Sequence, residues 1–189
     1  MLLIRPVLRS LLAAVDPMKK MVLGVAIGFW IVPLAALLFV EFGGMPVATK
    51  GKPLPFERFL AGVALHAAID READKPSPIE ATETNLAAGA RIYQAQCMVC
   101  HGSPDQSPTA IALGMYPKPP PLVRLDKIGV TDDPAGETYW KAKNGIRLTG
   151  MPGFGNNLSE TELWQVSLLL LHAHELPPSV SRLLSEQPN

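Results

Sequence analysis

Cysteine is scarce in this chain, and that scarcity excludes a disulfide-stapled fold. Only two cysteines occur among 189 residues. The formal net charge is zero, so the composition indicates no nucleic-acid partner. Aromatic residues are also few, with six phenylalanines against nineteen prolines. This balance predicts a small domain with long loops. Its side chains alone would not supply enough apolar core.

Both cysteines belong to one short motif, CMVCH at positions 97–101. This spacing is typical of covalent attachment of a c-type haem. On a helical turn Cys97 and Cys100 face the same side, so each sulfur can form a thioether with one vinyl group of the porphyrin. The adjacent His101 can then bring a ring nitrogen to the iron from that side. The motif therefore predicts one covalently attached haem c, which would also supply much of the missing apolar core.

Two other uses of these thiols are weaker interpretations. A zinc site would combine Cys97 and Cys100 with His172 and His174. However, the two histidines are two residues apart and point in different directions on a helix, so they do not easily share one metal. A redox dithiol of the thioredoxin kind would follow a strand, whereas this motif follows a predicted helix.

An uncharged stretch near the N-terminus, residues 21–40, predicts a membrane anchor. Twenty helical residues span about 30 Å, the thickness of the hydrocarbon layer of a bilayer. Residues 1–20 ahead of it form a cytoplasmic or interfacial segment that is rich in basic residues. The charged side chains there are Arg5, Arg9, Lys19 and Lys20 against Asp16. The positive-inside tendency then places the N-terminus in the cytoplasm and everything after Val40 on the periplasmic, extracytoplasmic side.

A cleaved signal peptide is the competing interpretation of the same stretch. Its apolar core is normally about 7–15 residues long and precedes a small-residue cleavage site. No Ala-x-Ala pattern lies directly behind Val40, and the uncharged stretch is longer than that range, which favours a retained anchor. Within it, Gly24 and Gly28 are four residues apart, a spacing that can admit a partner transmembrane helix.

Residues 41–81 predict a linker that contains one amphipathic helix. Glycine and proline dominate the first part, and apolar residues then recur at helical spacing from Phe56 to about Asp74. This apolar stripe must be buried, and the haem domain, a partner subunit and the membrane surface all remain possible. His66 in the same helix is interpreted as an ordinary surface histidine.

Residues 82–189 form the predicted haem domain. A helix is expected over 85–96, where Gly89 would let another helix cross closely. A second helix is expected from Asp133-Pro134 to Asn144, where Gly145 stops it. The capping-box pattern Ser159 with Glu162 predicts a last helix, which would run to about Glu175 before Pro177-Pro178 closes it.

Two candidate residues complete the iron site. A proline-rich loop follows the motif, and the carbonyl of Pro120 is the expected acceptor for the second ring N–H of His101. Met151 stands between glycine and proline in the loop 145–155, where its thioether could face the iron. Met98 and Met115 are interpreted as packing residues. The alternative for Met151 is the same ordinary packing role.

Taken together, residues 82–180 resemble the class I monohaem cytochromes c. The resemblance rests on G-x-x-x-Y-x-x-x-C-x-x-C-H at 89–101, Pro-Pro-Leu at 120–122, Asn-Gly-Ile at 144–146, Gly-Met-Pro-x-Phe-Gly at 150–155 and the closing segment 158–164. It implies an all-α cytochrome c fold around one haem c, with His101 and Met151 as axial ligands. It also implies electron transfer through an exposed haem edge, and it suggests that Tyr139 or Trp140 contacts a haem propionate.

The sequence thus predicts a membrane-tethered electron carrier, or a subunit of a respiratory or dehydrogenase complex, and not an enzyme. Its partners would be a redox protein donor and acceptor. Over residues 82–189 eight basic and ten acidic side chains are intermixed, so no large charged patch is expected to dominate docking. The alternative is a five-coordinate haem that acts on peroxide or a gas. Arg147 is then the nearest basic residue along the chain.

Overall fold

The computed structural model describes residues 16–71, 73–104, 106–123 and 133–186. These residues form helices and loops and contain no strand, which confirms the all-α prediction. Contacts divide the chain into two compact units, Met1–Val47 and Ala48–Asn189. The helices are α1 Pro17–Glu41, α2 Glu57–Ile69, α3 Glu83–Ile92, α4 Met98–His101, α5 Ala110–Gly114, α6 Ala135–Asn144, α7 Glu160–Leu171 and α8 Pro178–Ser185.

The first unit contains α1, a helix of 25 residues. Asp16 caps it by accepting a hydrogen bond from the backbone N–H of Met18 at 3.0 Å. At 1.5 Å per residue the helix is about 38 Å long, and all of it is exposed. Within the described residues, α1 alone is long and apolar enough to cross a membrane. It contains the whole predicted span and extends it at both ends.

The second unit begins with the linker helix α2, which is shorter than the segment 56–74 expected from the sequence. It ends at Ile69, which is buried, and a turn then leads into the segment containing Pro76 and Pro78. That segment packs against α6 at Gly136, where any side chain would overlap the backbone carbonyl of Ala73. The chain turns at Asp70 and packs Ala73 against Gly136, so α2 ends earlier than its apolar periodicity suggested.

The core of the second unit lies where α3, α7 and α8 meet. Gly89 of α3 lies against the backbone of α7, because a Cβ at this position would overlap the carbonyl group of Gln165. The closely crossing helix expected at Gly89 is therefore α7. Around this crossing the buried core side chains are Leu86, Ala90, Tyr93, Val123, Val166, Leu168, Leu169, Leu170, Ala173, Val180 and Leu184.

The helix expected over 85–96 is present and leads into the CMVCH motif, but it is not regular α-helix throughout. Regular α-helix ends at Ile92, a π-helical turn covers Tyr93–Cys97, and α4 resumes at Met98. A π-helical turn widens the hydrogen-bonded ring by one residue, and such turns occur frequently at functional sites. A turn of five residues is too short for apolar periodicity to reveal this change.

The end of the domain also departs from the sequence prediction. The capping box of Ser159 and Glu162 is present, with both reciprocal hydrogen bonds formed. However, α7 ends at Leu171 instead of Glu175, and a tight turn follows in which His172 pairs with Glu175 at 2.8 Å. Pro177-Pro178 does not close the domain but begins α8. Proline is well tolerated in a first helical turn, since no N–H partner is needed there.

Two further differences concern the loops. The proline-rich segment after the motif contains α5, which the sequence analysis did not predict; Thr109 caps it by accepting from the N–H of Ala112 at 3.1 Å. Helix α6 begins at Ala135, with Pro134 in the capping position. Gly145 follows its last residue, Asn144, and has a positive φ of 69°. A left-handed glycine there agrees with the predicted stop signal.

Replacing Gly89 with alanine tests the α3–α7 crossing. Because the added methyl group would meet backbone atoms, the helices must move apart, and we expect Gly89→Ala to lower the free energy of unfolding by about 1–3 kcal/mol. Gly62→Ala in α2 is the matched control, since its Cβ meets nothing within 4 Å. The measurement is urea unfolding of the detergent-solubilised chain. Equal midpoints for the two variants would contradict the close crossing.

Candidate haem site

The CMVCH segment is held at both of its ends. Before it, the hydroxyl of Tyr93 donates a hydrogen bond to the carbonyl of Gly102 at 2.7 Å, across the whole motif. After it, the hydroxyl of Ser103 donates to the carbonyl of Leu184 in α8 at 2.9 Å. Within it, Thr109 donates to the carbonyl of Val99 at 2.6 Å. These hydrogen bonds fix the backbone that carries the two thiols and the imidazole.

The two cysteines stand unpaired within this fixed segment. Cys97 ends the π-helical turn, Cys100 lies in α4, and both are half-buried. Burial, together with the neighbouring Cys100, raises the pKa of the Cys97 thiol to about 12. Metal sites use the thiolate form of cysteine. In the absence of a bound group, the Cys97 thiol is therefore protonated at neutral pH.

His101 is oriented by the proline-rich loop. Its Nδ1 lies 2.8 Å from the carbonyl oxygen of Pro120. A carbonyl can only accept, so Nδ1 carries the proton and Nε2 keeps a free lone pair. Burial lowers the pKa of His101, and the hydrogen bond to Pro120 opposes this effect in part. The ring is thus held in the neutral tautomer that a metal-bound histidine adopts.

Met151 lies in a loop whose backbone is pinned on both sides. Its N–H donates to Thr149 Oγ1 at 3.1 Å, and its carbonyl accepts from the N–H of Ile146 at 3.2 Å. The loop then folds back on the end of α6, where a Cβ at Gly153 would lie 2.7 Å from the backbone of Asn144. The side chain of Met151 is half-buried. The hydrogen bonds and close backbone contacts of the loop therefore fix the position from which the Met151 thioether extends.

A second methionine reaches the same loop. The side chain of Met115 packs against Gly150, so closely that a Cβ at Gly150 would overlap its terminal methyl group. The sequence around Met115 predicts only a packing role, and no local pattern indicates that it contacts Gly150. Residues 115–120 therefore run from the loop that carries Met151 to the carbonyl that holds His101. This segment joins the two candidate ligand loops.

Tyr139 is engaged in a separate aromatic and charged network. Its buried ring stacks on Trp164, with centroids 4.2 Å apart and planes inclined by 16°. Its hydroxyl donates to Glu160 at 3.3 Å and accepts from Lys143 at 3.1 Å. Trp140 is half-buried and lines a cavity of about 510 Å³ beside this network. A contact from Tyr139 or Trp140 to a haem propionate stays a prediction.

The remaining candidates do not gather into a second site. Among the described residues, no three His, Cys, Asp or Glu side chains come close enough to hold a metal ion, so the zinc alternative lacks a site. His172 is paired with Glu175 instead. Both Arg147 and His66 are exposed.

The donor set fits a covalently held haem. Two unpaired thiols lie in one short segment, and a neutral imidazole follows with one nitrogen free. A family model described as "Cytochrome C oxidase, cbb3-type, subunit III" matches residues 84–168, from α3 into α7, which includes the motif and the loop of Met151. A search of curated proteins found no match. Residues 84–168 are therefore a c-type cytochrome domain, and such a domain carries covalently bound haem c.

Proposed function

We propose that this chain is a membrane-tethered electron-transfer protein with one haem c and His/Met-ligated iron. Cys97 and Cys100 would form the thioethers, and His101 and Met151 would be the axial ligands. The hydrogen bond from His101 to Pro120 carries the proposal. It fixes the ring and leaves Nε2 unprotonated, with a lone pair that can bind the iron. The protein would act as a carrier between redox proteins, or as a subunit of a respiratory or dehydrogenase complex.

The chain's own residues set the chemistry of the iron. When bound, haem c supplies one-electron exchange between ferric and ferrous iron. A thioether ligand from Met151 favours the reduced state and raises the reduction potential relative to a second histidine. With both His101 and Met151 bound to it, the iron would have no open position for a small molecule. This arrangement supports electron transfer and not catalysis at the iron.

The membrane part of the proposal rests on α1. Its length and its fully exposed apolar surface suit a single membrane span. The basic residues ahead of it favour a cytoplasmic N-terminus and a periplasmic haem domain. Gly24 and Gly28 have open space around them, since a Cβ at either position meets nothing within 4 Å. A partner transmembrane helix at these glycines belongs to the same proposal.

Leucine substitution of the two loop methionines tests the iron ligand. We expect ferric Met151→Leu protein to lose the sulfur-to-iron charge-transfer band in its visible spectrum and to have a lower reduction potential. Met115→Leu is the matched control, because it removes the other thioether near the loop while leaving the band intact. Both changes nearly conserve volume, so folding is preserved.

Three outcomes would contradict His101/Met151 ligation. The first is a band that persists in Met151→Leu, and the second is its loss in Met115→Leu, which would make Met115 the ligand. The third is rapid binding of carbon monoxide by the unsubstituted reduced protein. That result would indicate an open iron position and favour the five-coordinate alternative.

Membrane topology is tested in spheroplasts of a host that attaches haem c. We expect a haem-stained chain of the full 20.4 kDa that stays in the membrane after alkaline carbonate extraction. External protease should digest a C-terminal tag and spare an N-terminal one, because only the region after Val40 lies outside. A shorter, soluble haem-stained chain would indicate a cleaved signal peptide and contradict the anchor.

A further inference from the structure

We propose that the exposed apolar face of α2 rests on the surface of the bilayer that α1 spans. This face, the α2 apolar face, consists of Phe56, Phe59, Leu60 and Val63. It lies outside the region matched by the family model, residues 84–168. The inference rests on the proposed membrane anchor but not on the ligands of the iron.

The α2 apolar face is open along its whole length. Phe56 is 76% exposed, Phe59 66%, Leu60 62% and Val63 52%. Positions 59, 60 and 63 recur at helical spacing, so they share one side of the helix, and Phe56 directly precedes the helix in its capping position. Phe59 and Val63 also line a shallow groove of about 530 Å³. A contiguous apolar surface of this kind marks an interaction site.

The opposite side of α2 is already attached to the second unit. Ile69 is almost completely buried, at 1% exposure. The guanidinium of Arg58 lies over the ring of Tyr116, 5.8 Å from its centroid. Helix α2 also contacts α6. Because one side is occupied in this way, the α2 apolar face points away from the unit, which excludes the haem domain as its cover.

The backbone at the start of α2 is strained at Phe56, whose side chain is exposed. Phe56 has a left-handed φ of 63°, which is unfavourable for a bulky residue. Hydrogen bonds between the neighbouring Leu54 and Glu57, 2.7 Å and 3.1 Å long, brace this turn. The side chain of Phe56 is exposed at this turn. Burial of this side chain in an apolar environment would offset the cost of the strained backbone, whereas exposure to water would not.

The tether identifies the bilayer as the occupant. Helix α1 ends at Glu41 and α2 begins at Glu57, so only residues 42–56 join them. Fifteen residues reach at most about 54 Å when fully extended. The tether therefore limits how far the α2 apolar face can move from the bilayer, and this raises the effective concentration of bilayer around it. Phenylalanine and leucine are typical of helices that lie in the membrane interface.

The charge of α2 indicates which lipid property matters. The helix carries Glu57 and Arg58 but no cluster of basic residues, so it has no strong attraction to anionic lipid. Burial of apolar area is left as the driving force. We therefore expect docking on zwitterionic phosphatidylcholine alone. Docking would also orient residues 116–120. This segment begins at Tyr116, whose ring lies under Arg58, and ends at Pro120, whose carbonyl accepts the hydrogen bond from His101.

Site-directed spin labelling of the haem-loaded full chain in phosphatidylcholine nanodiscs tests this proposal. Both native cysteines are consumed by haem c, so an introduced cysteine is the sole reactive thiol, and the unsubstituted chain is the labelling control. The test variant is Val63→Cys. The matched control is Ala61→Cys, exposed on the same helix but about 200° away around its axis.

Power saturation then compares collisions with oxygen, which concentrates in lipid, and with a nickel chelate, which stays in water. We expect the label at position 63 to meet oxygen several-fold more often than nickel, and the label at 61 to show the reverse. Adding anionic lipid should leave both ratios unchanged. Leu60→Cys repeats the test on the same face in case Val63→Cys disturbs the helix.

Two results would overturn the proposal. If the label at 63 is as accessible to nickel as the label at 61, the face is in water. If it is shielded from both reagents, a protein partner or a second copy covers it. Haem absorbance and recovery of the chain in the nanodisc fraction are read from the same samples. They separate a failure of docking from a failure of haem attachment or anchoring.

Discussion

The hydrogen bond between the His101 ring and the Pro120 carbonyl is the interaction on which the rest of the site depends. It fixes the tautomer of the imidazole, and it ties the haem motif to a segment that reaches Gly150 beside Met151. The motif itself is held by Tyr93 and Ser103, which bond across it and to α8. Two thiols, one imidazole and one candidate thioether are thereby carried on backbone that the core holds in place.

Core packing explains why this backbone stays in place. Helix α3, which leads into the motif, lies directly against α7 at Gly89, and α8 supports the same end of the motif. The capping box at Ser159 sets where α7 begins. The cytochrome c domain is thus a small helical frame in which one crossing determines the direction of the haem-bearing segment. The linker helix α2 is attached to the same unit, although it lies outside the family match.

Local signals in the sequence predicted the parts of this frame that local chemistry decides. Gly145 and the Ser159–Glu162 pair each act within one or two turns, so their roles could be predicted from neighbouring residues. The π-helical turn at Tyr93–Cys97 and helix α8 could not be predicted this way. The first spans only five residues, too few for apolar periodicity to reveal it. The second begins at a proline pair that is equally compatible with an end and a start.

The candidate site likewise has parts that the local sequence predicts and parts that only tertiary folding determines. The spacing of Cys97, Cys100 and His101 indicates haem attachment by itself, because the chemistry requires that order. The approach of Met115 to Gly150 joins residues 35 positions apart, and only tertiary folding determines it. The exposed apolar face of α2 was likewise unpredictable, since its periodicity requires a cover but does not say whether that cover belongs to the chain.

The central claim is that a porphyrin is bonded through sulfur to this polypeptide. Mass spectrometry of the chain, denatured and extracted with acidified acetone, tests it most directly. The account predicts a single species heavier than the polypeptide by one haem, with the added mass on the peptide that contains Cys97 and Cys100. A chain of unmodified mass, with all colour in the acetone, would contradict it.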